Sequence, residues 1–314
     1  MQQTSETKNT GIRKKKGHVF RKILVVLLVL TLLLTGGFFL AYSYVTKDYE
    51  NVTFSHAADT TALMQSKDVT NILLMGIDTA DGSEDTRSDS MILLSVDRKH
   101  NRLKLTSFMR DMYVEIPGHG YTKLGHACFY AGAPLTIDTI ELNFNVRIDA
   151  YVKIGYDIFR TLVNSMDGIT VPEIDEVESA ALAREGVQIA PGKNIHLNGD
   201  EALQYCRIRK GQTDFQRTSR QREMLTLLAK KAKTLSPFKL VSLAKEILAE
   251  VESSIPKKDL IPLALHALPC LGKDIGQQQI PADGTWWDET IDGLMVLRVH
   301  FDENIEAIRQ FIYE

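Results

Sequence analysis

The sequence predicts an α/β protein: an α-β-α sandwich with a central mixed sheet, preceded by one transmembrane helix. Residues 71–78, NILLMGID, and 90–97, SMILLSVD, are short, nearly continuous apolar runs of the kind that form strands buried on both faces. Downstream, strand-like runs alternate with segments of helical period, the order that covers a sheet with helices. Upstream, residues 23–45, ILVVLLVLTLLLTGGFFLAYSYV, carry no charge over 23 positions. That is enough for a helix to cross about 30 Å of hydrocarbon.

The N-terminal elements come first. A cleaved leader would have an apolar stretch of about 7–15 residues ending in a small-residue cleavage site. Here Phe38, Phe39, Tyr42 and Tyr44 sit at the far end instead, like an interfacial aromatic belt. Residues 1–22 carry Lys8, Arg13, Lys14, Lys15, Lys16, Arg21 and Lys22 against Glu6. The positive-inside bias keeps this basic tail in the cytoplasm and places everything after residue 45 outside a cell membrane that the chain crosses once. Residues 46–69 are polar and poorly periodic, a spacer by composition. Residues 70–314 then form one extracellular domain, with 236–314 completing it.

Within that domain, LKLTSFM (103–109) and MYVEI (112–116) follow the first two strands, with DRKHN as a turn before them. Helices are expected over LGHACFYAG (124–132), PLTIDTIELNFN (134–145) and YDIFRTLVNSM (156–166), with a strand at DAYVKI (149–154). Asn198, with Glu201 three residues later, starts a helix over GDEALQYC. Asp214 starts another that runs through MLTLLAKKAKTL until SPFK (236–239) breaks it. LVSLAKEIL and DLIPLALHALPCL read as helices, VLRVH (296–300) as a last strand, and ENIEAIRQFIYE as a closing amphipathic helix.

Beyond the tail the chain has 30 Lys plus Arg against 39 Asp plus Glu, a net charge of −9. A nucleic-acid binder would show a broadly basic domain, so no nucleic-acid partner is expected. Cys128, Cys206 and Cys270 are too scattered for a disulfide framework or a zinc site and read as small core residues. His119, His126 and His196 lack metal-ligand spacing and read as structural or solvated, and Trp286-Trp287, after a glycine turn, reads as core, with a sugar-stacking edge as the alternative.

The chemistry concentrates in three stretches. TDFQRTSRQREM (213–224) crowds three arginines together. At 100° per residue Asp214, Arg217 and Gln221 fall within about 60°, Arg220 lies about 60° from Arg217, and Arg222 some 140° away. The first four can share a face, while Arg222 is expected to meet solvent. A salt-bridged surface helix is the plain alternative. In YCRIR (205–209), an extended backbone puts Arg207 and Arg209 on one side, whereas a helix separates them by about 160°. Gly211 and the new helix start favour the extended form. The loop GIDTADGSEDTRSDSM (76–91) holds Asp78, Asp81, Glu84, Asp85 and Asp89 where open α/β folds place their ligands. Hard oxygen ligands like these suit Mg²⁺, although a solvated acidic loop would look the same. SFMRD puts Arg110 beside Asp111, and Lys123 follows a glycine-bearing loop. Together these describe a site for a doubly charged anion bridged by a divalent cation.

On these residues the chain resembles the LytR-CpsA-Psr family of membrane-anchored cell-envelope proteins. The resemblance rests on G-x-D then R-S-D-S-M at 76–91, S-x-x-R-D at 107–111, Lys123-Leu124, and Y-x-R-x-R then D-x-x-R-x-x-R-Q at 205–221. Met109 stands where the family usually has proline, Gly125 where it commonly has asparagine, and Ala131-Gly132 replaces a glycine pair. The resemblance implies transfer of a glycopolymer, a teichoic acid or capsular polysaccharide, from a polyprenyl-pyrophosphate lipid to peptidoglycan. This would be a Mg²⁺-assisted phosphotransfer that releases polyprenyl phosphate, with an apolar pocket for the prenyl chain. Carried over, Asp78 and Asp89 hold Mg²⁺, or Mn²⁺ in its place. Arg87, Arg110, Arg207, Arg209, Arg217 and Gln221 grip the pyrophosphate, with Arg220 and Lys123 nearby. Arg110, Arg217, Asp89 and Asp214 are the catalytic set, with Asp214 or Asp89 taking the hydroxyl proton. Two other classes fit in part: a non-catalytic polyprenyl-lipid binder and an envelope-linked transcriptional attenuator. The acidic outer domain and the lack of room for a recognition helix in the tail weigh against the second.

Overall fold

The central sheet is built around the two apolar runs. In the computed structural model, which describes residues 40–56, 59–77, 88–208, 214–271 and 273–314, they form β1 (Val69–Ile77) and β2 (Ser88–Asp97), paired antiparallel. Four more strands complete the sheet: β3 (Arg102–Phe108), β6 (Ala150–Gly155), β9 (Glu252–Ser253) and β10 (Gly276–Ile280). Their order is β10-β3-β2-β1-β6-β9. The sheet is mixed, because β1 runs parallel to β6 and β10 parallel to β3.

Alternating side chains feed opposite faces. Leu73, Met75, Met91, Leu93 and Phe108 pack against one helical layer, made by α1 (Gly125–Phe144) and α8 (Phe301–Tyr313). Helix α1 is broken at Ala131 and Gly132 (φ 68°), just before Pro134, so it is the two expected helices joined at a kink. Ile72 and Ala150 face the other way, toward Ile255 and Leu263. Facing that side are α2 (Tyr156–Ser165), α4 (Gly199–Arg207), α5 (Asp214–Thr234) and α7 (Leu260–Ala267), while α3 (Glu176–Arg184) and α6 (Pro237–Leu248) join α2, α4 and α5 in a second apolar cluster. Helix α4 starts as its sequence requires, with Asn198 and Glu201 forming a reciprocal capping box. All three cysteines are buried and unpaired.

Among the described residues three two-stranded antiparallel sheets lie outside the main sheet: the hairpin of β4 (Tyr113–Ile116) with β5 (Gly120–Lys123), β7 (Ile169–Ile174) with β8 (Gly192–Leu197), which α3 separates in the chain, and the hairpin of β11 (Trp286–Ile291) with β12 (Leu294–Val299). Sequence periodicity finds only β4 and β12 among these six, because the others mix polar residues into strands that are half exposed.

Two N-terminal expectations change or stand aside. Residues 48–69 are more than a spacer: Tyr49 is buried and donates to the Ile255 carbonyl at 2.6 Å, and Met64 bridges to Val146. A few anchoring apolar residues suffice to dock a polar segment, which composition averaged over the segment hides. The expected span, 23–45, falls outside the described residues up to position 39, as does the tail; residues 40–45 are helical, and no described helix is long and apolar enough to cross a membrane.

Candidate active site

The site forms where β1 and β6 end side by side, with Ile77 level with Gly155. Helix α2 leaves β6 directly at Tyr156, α4 ends at Arg207 and α5 begins at Asp214. Close approach of β1 to β2 here needs a small residue: a Cβ on Gly76 would lie 3.1 Å from the Cβ of Ser90.

Between the sheet and these helices lies a cavity with about 1000 Å³ of empty space, its open side included. Leu74, Ile92, Phe159, Leu203, Met224 and Leu225 give it apolar walls. Arg207, Arg217 and Gln221 line it too. Arg207 is exposed, with its guanidinium carbon 4.8 Å from the centre of the Tyr156 ring, so solvent reaches the charged part of the lining. The Oε1 of Gln221 is buried and has no hydrogen-bond partner among the described residues.

From Arg217 a chain of alternating charge leads outward. Arg217 Nη2 lies 2.8 Å from Asp214 Oδ2, which is 3.4 Å from Arg110 Nε. Arg110 Nε lies 3.9 Å from Asp111 Oδ2, and Asp111 Oδ1 takes Lys123 Nζ at 2.8 Å. Among the described residues three cations, Arg217, Arg110 and Lys123, alternate with two carboxylates, Asp214 and Asp111. Arg110 is held by its backbone: its carbonyl accepts from the Gly125 N–H at 2.9 Å, and a Cβ on Gly125 would lie 3.2 Å from that of Arg110. Arg110, Asp111 and Lys123 line a second cavity together with Ser88, His126 and Leu294. Asp214 therefore links an arginine that lines the first cavity to one that lines the second.

The sequence matches the model of the LytR_cpsA_psr family over residues 38–310. The chain belongs to this family. It is 31% identical over 282 residues to TagU of Bacillus licheniformis, named as a polyisoprenyl-teichoic acid–peptidoglycan teichoic acid transferase, covering 87% of this chain and 89% of that one. A structure of TagT bound to LIIa-WTA superposes with a TM-score of 0.70 at 27% identity, over 83% of this chain and 98% of that one. A second, the LytR-CPS2A-psr family protein YwtF (TagT) with bound octaprenyl pyrophosphate lipid, gives 0.65 at 26% identity, over 83% and 99%.

In this LytR-CpsA-Psr chain the structure gathers Arg110, Lys123, Arg207, Asp214, Arg217 and Gln221 around the two cavities. Asp78, Arg87 and Arg209 lie outside the described residues, as does the side chain of Asp89.

Three expectations are corrected. Residues 205–207 close α4 rather than run extended; Asn198 sets the helix, and only Ile208 turns to an extended conformation. Arg220 leaves the shared face. Its Nε pairs with Glu178 Oε1 at 3.2 Å and its Nη1 donates to the Ile208 carbonyl, so it ties α5 to α3 and to the end of α4. Arg222 does not meet solvent: it is 7% exposed and donates from Nη1 to Ser107 Oγ at 2.8 Å. The sheet lies on that side of α5, where Thr218 also packs, and burial pushes the Arg222 guanidinium down to about 10.

Tyr156, Phe159 and Glu178 escaped the sequence reading, since an aromatic after a strand and a first-turn acid look ordinary until packed. The histidines hold local contacts: His119 stacks on Tyr130 at 4.3 Å, His126 Nδ1 lies 2.9 Å from Thr122 Oγ1, and His196 Nδ1 lies 3.5 Å from Thr170 Oγ1. Trp286 packs on Phe215, but Trp287 is 41% exposed and not core.

Proposed function

We propose that this chain transfers a glycopolymer, as a sugar phosphate, from a polyprenyl-pyrophosphate lipid to a hydroxyl of peptidoglycan. One observation carries the reading: an apolar cavity is lined by Arg207, Arg217 and Gln221 and linked through Asp214 to Arg110. A prenyl chain needs apolar walls, and its pyrophosphate needs guanidiniums and amide groups where those walls end. The transferase names of the relatives and the octaprenyl pyrophosphate bound by TagT support the same ligand.

In this mechanism the acceptor oxygen attacks the sugar-side phosphorus. A new oxygen–phosphorus bond forms, the bond to the bridging oxygen breaks, and polyprenyl phosphate leaves. Arg110 and Arg217 stabilise the charge that builds on the phosphoryl oxygens, the main lever in phosphoryl transfer. The hydroxyl proton passes to Asp214 or Asp89.

Asp89 lies on β2 next to Ser88, which pairs with Ile77, the residue before Asp78. Asp78, which follows Ile77 in sequence, and Asp89 would supply two carboxylates, a hard donor set of the kind that suits Mg²⁺, with Mn²⁺ as its substitute. Bound there, the ion would neutralise pyrophosphate charge. The charge-free run 23–45 and the basic tail support a single-pass anchor, with the tail in the cytoplasm and the domain outside.

The test is to incubate the purified full chain in detergent with radiolabelled lipid-linked glycan and peptidoglycan fragments, with and without Mg²⁺. Label in the peptidoglycan, with release of polyprenyl phosphate, is expected only with the metal. Lipid binding without transfer would reduce the chain to a binder, and absence of both would overturn the reading.

A further inference from the structure

The second cavity continues into a row of side chains that the transfer chemistry does not use. Trp287 on β11 stands opposite Arg298 on β12. Strand β12 touches β4 where Leu297 bridges to Met112, and the Leu297 N–H donates to the Asp111 carbonyl at 2.9 Å. That contact sets the Arg298 guanidinium carbon 5.5 Å from the centre of the Tyr113 ring and 5.8 Å from that of the Trp287 ring. Tyr113 in turn stands opposite Lys123 on β5, with the Tyr121 ring 5.8 Å from its own.

The result is one line across four strands, Trp287–Arg298–Tyr113–Lys123. At about 4.8 Å per strand spacing it is roughly 14 Å long. It ends at the salt bridge to Asp111, next to Arg110. Trp287 and Tyr121 are 41% and 55% exposed, so these rings are not spent on the core. The β11–β12 turn, Asp292-Gly293, has positive φ at both residues, as a two-residue hairpin needs, and Leu294 after it lines the cavity.

We infer that this row is the track on which the peptidoglycan acceptor lies, which rests on the transferase reading above. Sugar rings present C–H faces that stack on flat aromatic surfaces, and Trp and Tyr offer such faces with little rotamer freedom to lose. Arg298 lies 3.7 Å from Glu289 Oε2 and Lys123 2.8 Å from Asp111 Oδ1, so the row carries paired charge, and its guanidinium and ammonium place N–H donors between the rings where sugar hydroxyls can accept from them. A strand seated there reaches Arg110 from the side opposite the apolar cavity, so donor and acceptor approach Asp214 from two directions. The acceptor hydroxyl is thereby positioned by the track.

The experiment uses the full chain in detergent with a purified, stem-peptide-bearing peptidoglycan oligosaccharide. Trp287→Ala should raise the acceptor KM about tenfold and Arg298→Ala roughly fivefold, with donor KM unchanged. Without donor, the oligosaccharide should quench tryptophan fluorescence in the wild type and much less in Trp287→Phe. Thermal unfolding of the variants confirms an intact fold, expected because Trp287 and Arg298 are surface residues. An unchanged acceptor KM in Trp287→Ala while the wild type transfers normally would overturn the track and leave the enzyme standing. A wild type that transfers nothing, yet is quenched by the oligosaccharide, would remove the enzyme and keep the track. Quenching by phosphatidylglycerol vesicles in place of the oligosaccharide would assign the patch to a bilayer and overturn the proposal.

Discussion

Asp214 and Arg110, far apart in sequence, meet at 3.4 Å between Oδ2 and Nε, and the same oxygen lies 2.8 Å from Arg217 Nη2. One carboxylate at the start of α5 thus aligns guanidiniums from two elements. Arg110 belongs to the loop after β3 and lines the second cavity, while Arg217 lines the first.

If both arginines act on the transition state, Arg110→Ala and Arg217→Ala should each lower turnover of a lipid-pyrophosphate donor by about 10²-fold or more. Asp214→Asn should also lose activity, because it removes the charge that orients both groups. Steady-state rates on variants with wild-type circular dichroism check this; an unchanged rate for either arginine variant would show that the convergence is not catalytic.

Arg220 belongs to the same motif but to a different task. Its side chain is 6% exposed and that of Glu178 10%. Removing one partner of such a pair strands a buried charge, at a cost of about 3–5 kcal/mol. Arg220→Met should therefore lower the urea midpoint sharply, while turnover per folded molecule falls far less than in Arg217→Ala. Equal losses of turnover in the two variants, with stability unchanged, would return Arg220 to the anion site.

These two arginines mark how far the sequence could be read. The strands β1, β2, β3 and β6 were legible because their apolar runs exceed anything a loop would carry, and α4 because Asn198 and Glu201 are a local signal. The meeting of Asp214, Arg217 and Gln221 followed from helical period. Helical period also put Arg220 beside Arg217 and Arg222 in solvent, and both failed. Angles around one helix do not say where Glu178 and Ser107 stand, and those partners come from α3 and β3. Of the tryptophan pair, the core reading held for Trp286 and failed for Trp287, since alternation on β11 sends Trp286 to Phe215 and Trp287 outward, a split invisible until the strand is recognised.

Far from this site, burial pushes the Glu141 carboxyl above the usual carboxylate range, against hydrogen bonds from the Ile148 N–H (2.8 Å) and His56 (3.0 Å). The folded chain then holds the extra proton. This group's stabilisation is fully present below the unfolded value of about 4.3 and is lost as pH rises through the folded value. Glu141→Gln keeps an acceptor for Ile148 and carries no charge. Its stability relative to wild type should therefore improve between pH 4 and pH 8 in urea titrations. A variant-minus-wild-type stability difference that stays constant or falls over that range would place the carboxylate in a well-solvated or strongly paired state.

The apolar cavity makes a prediction that separates chain from headgroup. Leu225 is half-buried on α5 and lines the cavity one residue beyond Met224, on the far side of Gln221 from Arg217. A lysine there would place a charge against the prenyl chain, and an ammonium surrounded by apolar groups is costly unless it reaches water or a partner. Its long stem can reach solvent when the cavity is empty, so the fold should tolerate Leu225→Lys with a modest loss of stability. A bound prenyl chain would compete for that space. The donor KM should then rise by about tenfold, equivalent to roughly 1.4 kcal/mol, with kcat little changed, because the groups around phosphorus are untouched. A donor analogue with a single isoprene unit would bind the variant and the wild type almost equally, since it leaves the deeper walls uncovered. Equal losses for long and short donors would mean that the lysine disturbs the arginines rather than the channel, and no loss for either would place the lipid elsewhere.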